Sequence, residues 1–344
     1  MTAAMHTPRT ADPAVLPSWA ARAVNLADPR LGGEALACSD DFFAPMARLL
    51  DPGPACFIPG KYDDHGKWMD GWESRRKRAA GHDWCIVRLG CPGRIFGFDL
   101  DTSFFTGNYP PAASIEGCPA DGDPDGDHWR ALTPTVALQG NRHHLIEAGG
   151  AGDIVYSHVR INIFPDGGLA RLRVYGQPLP QNPQTGPEGW IDLAAARHGG
   201  RAVAWNDAHY GAAANLLLPG RGIDMGDGWE TRRRREPGHD WCLIALGIPG
   251  TVLRIEVDTA HFKGNFPDRC SLQAAWAPTL DEAALPAQSQ FWPTLLAENA
   301  LAADSLRTFI AECDAPVSHV RFNLHPDGGV SRLRLWGLPA REAR

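Results

Sequence analysis

Two arginine-rich stretches, each running into a histidine–aspartate pair, carry the chemistry most readily read from this chain. Arg75, Arg76 and Arg78 precede Gly81–His82–Asp83–Trp84, and Arg232, Arg233 and Arg235 precede Gly238–His239–Asp240–Trp241. A guanidinium offers paired N–H donors in one plane, a match for carboxylates and urea-like carbonyls. Histidine beside aspartate can serve as a general base with an orienting partner. Glu73 and Glu230, just ahead of the arginines, are further acids. Together these types suit acid–base work on a small anion. A solvated arginine face with a capping aspartate would give the same string.

Other polar residues recur in the same way. Asn108 and Asn265 follow Asp101–Thr102 and Asp258–Thr259, just past predicted strands, where loops on a rigid frame carry binding groups or simply turn. Ser157–His158–Val159–Arg160 and Ser318–His319–Val320–Arg321 open strands, so His158 and Arg160 share a face. Arg160, Arg321, Arg75, Arg76, Arg232 and Arg233, with Asn108 and Asn265, form the substrate-binding shortlist. Three positions break the symmetry: Phe104 stands against His261, Thr106 against Lys263, and Glu116 against Gln273. A reaction needs only one working copy, which adds Glu116 and His261 as catalytic candidates and Lys263 as a binding candidate. Drift in an idle copy would produce the same differences.

The elements that must position these residues come from a duplication. Asp70–Gly71–Trp72–Glu73–Ser74–Arg75–Arg76 returns as Asp227–Gly228–Trp229–Glu230–Thr231–Arg232–Arg233, and the match runs without a gap to Glu116 and Gln273. About half the positions in that span are identical. Ser157–Asn162 returns as Ser318–Asn323, and a weaker block pairs the region around Arg30–Asp40 with Arg197–Asp207. Between the copies lies QPLPQNPQTGPEG, a proline-rich linker without apolar periodicity. The expected layout is an N-terminal extension at 1–19, repeats at 20–176 and 190–344, and a linker at 177–189.

Strand signals dominate each repeat. Trp84–Leu89 and Arg94–Asp101 flank Gly90–Cys91–Pro92–Gly93, which reads as a turn, and Trp241–Leu246, Gly247–Gly250 and Thr251–Asp258 repeat the pattern. Val159–Phe164 and Leu169–Tyr175 flank Pro165–Gly168 and read as a hairpin. Trp84 and Trp241 are expected in the core, and Ala303–Glu312 is the one helical candidate. Short strands with regular turns predict an all-β chain of two tandem jelly-roll β-sandwich domains.

Composition narrows the function classes. At 344 residues a prior of about 150 per domain gives two domains, and 44% hydrophobic residues suit a globular protein. A net charge of −7 argues against nonspecific nucleic-acid binding. The N-terminal stretch has no continuous apolar core of a secretory signal, and no apolar run is long enough to cross a membrane. The 8 cysteines are scattered without a C-x-x-C spacing, so a reduced cytoplasmic protein is expected. No phosphate-binding loop, dinucleotide fingerprint, HExxH or GxSxG is present. The 13 histidines have no zinc-site spacing; no cofactor is predicted, and a divalent metal is left open.

The motifs also carry a resemblance. Trp84–Gly90 and Leu172–Gly176, with Trp241–Gly247 and Leu333–Gly337, are similar to the strands of galactose-binding-like, discoidin-type jelly rolls. More specifically, DGWESRRKRAAGHDWCIVRLG, DTSFFTGNYPPAASIEG and SHVRINIFPDGGLARLRVYG, with their second-copy partners and the opening NLADPRLGGEALACSDDFFAP, resemble the allantoicase family over nearly the whole chain. That resemblance implies hydrolysis of allantoate to ureidoglycolate and urea in purine degradation, on a homo-oligomer of two-module subunits. On the residues alone, a related ureido-compound hydrolase, a metal-dependent amidohydrolase and a tandem sugar- or anion-binding module remain alternatives.

Overall fold

One strand of 19 residues organises each repeat: Asp83–Asp101 in the first and Asp240–Asp258 in the second. In the computed structural model, which describes residues 7–21, 23–149, 152–179, 183 and 185–340, the chain forms two compact units that part between Leu179 and Pro180. The first half of Asp83–Asp101 pairs with Tyr156–Phe164 on one side and Glu34–Cys38 on the other. Its second half pairs instead with Arg171–Pro178 and His143–Glu147. The strand therefore belongs to both layers of a β-sandwich. Ala112–Pro119 extends the first layer beside Tyr156–Phe164.

The second repeat has the same plan. Val317–His325 and Arg201–Trp205 flank the first half of Asp240–Asp258, and Arg332–Pro339 and Leu306–Ile310 flank the second. Both repeats are antiparallel jelly-roll sandwiches. The N-terminal segment Arg9–Thr10 adds a short pairing with Cys56–Phe57. No described helix is long and apolar enough to cross a membrane.

Four local readings change. Gly90–Gly93 is no turn, and neither is Gly247–Gly250: the chain stays extended where it passes between layers. The glycines answer close approach instead, because a Cβ at Gly90 would lie 2.7 Å from the Leu31 backbone and one at Gly93 2.5 Å from the Gln177 carbonyl. Tyr156–Phe164 and Arg171–Pro178 do not pair with each other; Pro165–Gly168 carries the chain from one layer to the other. Ala303–Glu312 holds the strand Leu306–Ile310, whose pairing with Arg254–Asp258 overrides its weak helical pattern. Finally, Trp72 and Trp229 fill the core, whereas Trp84 and Trp241 are only half-buried. With Asp83 facing inward, period-two alternation puts Trp84 on the outer face and Cys85 back in the core.

Burial of Trp72, Phe98, Phe105, Ile115 and their counterparts Trp229, Ile255, Phe262 and Leu272 closes the two cores. A buried arginine ties the loop bearing Glu73 to this frame. Arg171, 3% exposed, pairs with Asp70 at 2.7 Å and donates to the carbonyls of Gly53, Asp70 and Ala170. Arg332, 4% exposed, does the same for Asp227 in the second repeat.

Candidate active site

Glu73 sits on a two-residue strand, Trp72–Glu73, between Gly168–Leu169 on one side and a bridge to Ala44 on the other. Trp72 points into the core, so alternation sends Glu73 the opposite way, into a pocket of about 680 Å³ shared with Arg76 and Asn108. Asn108 is fixed at both ends. Its carbonyl accepts from Gly168 N–H at 2.7 Å, and its side-chain amide donates to Glu73 Oε1 at 2.8 Å. Gly167, at φ 137°, permits this contact; a Cβ there would lie 2.7 Å from Pro110 N. Asp166 in the same turn accepts from the Lys77 backbone N–H at 2.7 Å.

The electrostatics follow. Burial pushes the Glu73 carboxyl above its ordinary pKa, against the opposing pull of the Asn108 hydrogen bond and the Lys67 charge. Glu73 thus holds a proton more tightly than an exposed carboxylate. Arg76 is exposed at the pocket wall and has no ion-pair partner among the described residues. A carboxyl of raised pKa, an amide and an unpaired guanidinium therefore meet in one cavity.

The second repeat builds the same arrangement. Glu230 pairs through its backbone with Gly329 and Gly211, Gly329 N–H donates to the Asn265 carbonyl at 2.7 Å, and the Asn265 amide donates to Glu230 Oε1. Arg233 lines this pocket of about 620 Å³. Tyr109 and Phe43 of the first pocket are replaced by Phe266 and Tyr210.

A second concavity lies on the outer face of the first repeat, across Ala112–Pro119 and Tyr156–Phe164. His82, Glu116, Arg160 and Asn162 line this cleft of about 620 Å³. Arg160 donates through Nε at 2.9 Å and Nη2 at 2.8 Å to Glu116 Oε2, which also accepts from Asn162 at 2.9 Å. Burial raises the Glu116 pKa, but the bonds from Arg160 and Asn162 outweigh it and hold the carboxyl below its ordinary value. His82 Nε2 lies 3.3 Å from Asn162 Oδ1 and its ring packs on Phe164.

Other shortlisted residues have different neighbours. Asp83 and Asp240 are buried and paired with Lys77 and Arg234, so neither orients its preceding histidine; adjacent strand residues face opposite sides. Arg75 and Arg232 are paired with Asp40 and Asp207 and do not line the twin pockets. His239 packs on His325, and burial, with Arg321 beside it, lowers its pKa. His261 is spent on the Gly222 carbonyl at 2.7 Å, and Lys263 is exposed. Arg321 lies buried against Asn323 and Ser289. Nothing in the sequence marked Tyr109 and Phe43 as pocket walls, and Pro165–Gly167, read only as a turn, also lines the first pocket; its recurrence at Pro326–Gly328 was a visible signal. Among the described residues no His, Cys, Asp and Glu cluster could hold a metal ion.

Comparison with known proteins gives this geometry a family. A family model described as an allantoicase repeat matches residues 24–179 and again 191–340. A probable allantoicase 2 of Burkholderia pseudomallei (strain K96243) is 59% identical over 325 residues, covering 93% of this chain and 96% of that protein. A probable allantoicase of Acinetobacter baumannii (strain ACICU) is 49% identical over 342 residues, with 98% and 99% covered. The crystal structure of the Saccharomyces cerevisiae allantoicase superposes with a TM-score of 0.77 at 34% identity, over 92% of this chain and 93% of that one. With the family model matching both repeats and these relatives spanning nearly the whole chain, the protein belongs to the allantoicase family.

Proposed function

We propose that the twin Glu–Asn–Arg pockets are where this allantoicase hydrolyses allantoate to ureidoglycolate and urea. The observation that carries the assignment is Glu73, a carboxyl of raised pKa bonded to Asn108 in one cavity with the unpaired Arg76, and its recurrence as Glu230, Asn265 and Arg233. Allantoate carries one carboxylate and two ureido groups on a single carbon. Arg76 receives the carboxylate through paired donors, which fixes orientation along with charge. Asn108 and the surrounding loop meet the ureido edges.

Glu73, protonated, gives its proton to the nitrogen of the departing urea as the bond from that nitrogen to the central carbon breaks. The resulting carboxylate takes a proton from the water whose oxygen bonds to the same carbon. Glu73 ends as it began, one water is consumed, and urea and ureidoglycolate leave. No covalent enzyme intermediate is involved. An adduct on Glu73 or Glu230 in intact-protein mass spectra taken during turnover would overturn the mechanism.

The direct test is incubation of purified protein with allantoate while urea and ureidoglycolate are assayed, for the wild type and for Glu73→Gln/Glu230→Gln. Stoichiometric release of both products by the wild type, lost in the double variant, is expected. Full turnover by the double variant would move the chemistry elsewhere. We further propose a homo-oligomer in the cytoplasm, a setting in keeping with 8 free cysteines. Light scattering on a sizing column measures the first, and fractionation of the producing cells the second.

A further inference from the structure

The cleft around Glu116 has no open counterpart in the second repeat. There the segment Glu282–Phe291 folds as short helical turns, with Arg201 paired to Glu282 at 2.7 Å. The segment places its own chain where the cleft would be. Gln273, at the position of Glu116, donates to the carbonyls of Gln290 at 3.1 Å and Trp292 at 3.2 Å. Arg321, at the position of Arg160, donates to Ser289 Oγ at 2.8 Å and is 5% exposed. The site is filled by peptide carbonyls and a hydroxyl, which suit the donors they meet.

In the first repeat the polarity is reversed and the space is open. Glu116 is an acceptor where Gln273 is a donor. All three of its side-chain contacts fall on Oε2, so Oε1 faces the cleft without a partner among the described residues. Arg160 spends Nε and Nη2 on Glu116 and stacks its guanidinium over Trp129 at 4.7 Å, which leaves Nη1 as a donor. Thr133 and Thr135 also line the cleft. An occupant must offer N–H groups to Glu116 Oε1 and a carbonyl to Arg160 Nη1. The Glu116–Arg160 pair neutralises itself, so that end of the occupant carries no charge. A ureido or primary-amide group has this pattern, with N–H donors beside one carbonyl.

We infer that the cleft lined by Glu116, Arg160, Asn162 and His82 is a second ligand site, present only in the first repeat, that binds the ureido end of a small molecule. It is separate from the Glu73 and Glu230 pockets and does not depend on their being catalytic. The first repeat therefore has two sites for ureido chemistry and the second has one, its other site filled by residues 282–291 of its own repeat.

The test is calorimetric titration with N-carbamoylglycine, a stable ureido acid, on the full chain carrying Arg76→Ala and Arg233→Ala, which removes the guanidinium that each twin pocket offers to its carboxylate. One binding site per chain is expected to remain. Adding Glu116→Gln, a side chain the second repeat accommodates as Gln273, should weaken that site at least ten-fold. Adding Ala131→Trp, which fills the exposed rim beside Glu116, its cross-strand partner, should abolish it. No residual binding, or residual binding indifferent to both additions, would overturn the inference. Failure of the catalytic assignment reads differently, as undiminished allantoate turnover in the Arg76→Ala/Arg233→Ala protein. Unchanged thermal melts of each variant keep misfolding from mimicking either result.

Discussion

Asn108 donates its side-chain amide to Glu73 at 2.8 Å while its own carbonyl accepts from Gly168 N–H at 2.7 Å, so one asparagine joins the carboxyl proposed as the acid to the start of the neighbouring strand Gly168–Leu169. Asn265 and Glu230 repeat this relationship. The hydrogen bond opposes the effect of burial on Glu73, which sets how firmly the carboxyl keeps its proton.

Asn108→Ala removes the bond that pulls the Glu73 pKa down. The carboxyl then stays protonated to higher pH, so the limb on which activity falls with rising pH moves upward. A hydrogen bond to an ionisable group is worth about 1.5–3 kcal/mol, so kcat/KM at the optimum should drop by about 10–100-fold. A pH profile of kcat/KM checks both; an unmoved alkaline limb would contradict the coupling.

Glu73→Gln and Glu230→Gln keep shape and remove the proton. If the two pockets work independently, each single variant loses about half of kcat and the double variant loses about 10²–10⁴. Steady-state assays of the three proteins decide it. A single variant as inactive as the double would place all turnover in one repeat.

Arg171→Met strands the Asp70 carboxylate and several carbonyls away from water. Breaking such a pair should cost about 3–5 kcal/mol of stability, measured by urea denaturation. Arg332→Met should cost about as much through Asp227. A loss under about 1 kcal/mol would mean that water replaces the arginine.

His143 donates to Asp99 at 2.8 Å, and this bond, aided by the charges of Asp99 and Asp101 against a desolvation cost, raises its pKa to about 9 from an ordinary 6.5. The folded state binds the proton more tightly, so the added stability is complete below pH 6.5 and is lost as pH rises through about 9. Thermal melts of wild type and His143→Asn across that range should converge at the alkaline end. A constant gap would assign the role of His143 to packing.

The duplication was legible because identical residues recur in one order, and with it came the number of repeats, the all-β class and most of the polar shortlist. Glu73, Arg76 and Asn108 were named, but nothing in the string says that residues 35 apart in sequence share a hydrogen bond. The His82–Asp83 pair misled because adjacent residues look like partners in a string, whereas on a strand they face opposite ways. Gly90–Gly93 read as a turn because glycine and proline punctuate both turns and places where backbones nearly touch. The Glu116–Gln273 difference was visible as well. That it accompanies an open cleft in one repeat and a filled one in the other depends on the path of residues 282–291, which carry no repeated pattern.

The strand that serves both layers of each sandwich has a consequence for how such a protein diversifies. A repeat built this way has no seam along which one sheet could drift or be exchanged without the other, so the frame is inherited whole. The connections at its ends are under no such restraint. Between the two copies, ten residues at 282–291 lie over the position that is an open cleft in the first repeat, and the core strands of both keep one plan.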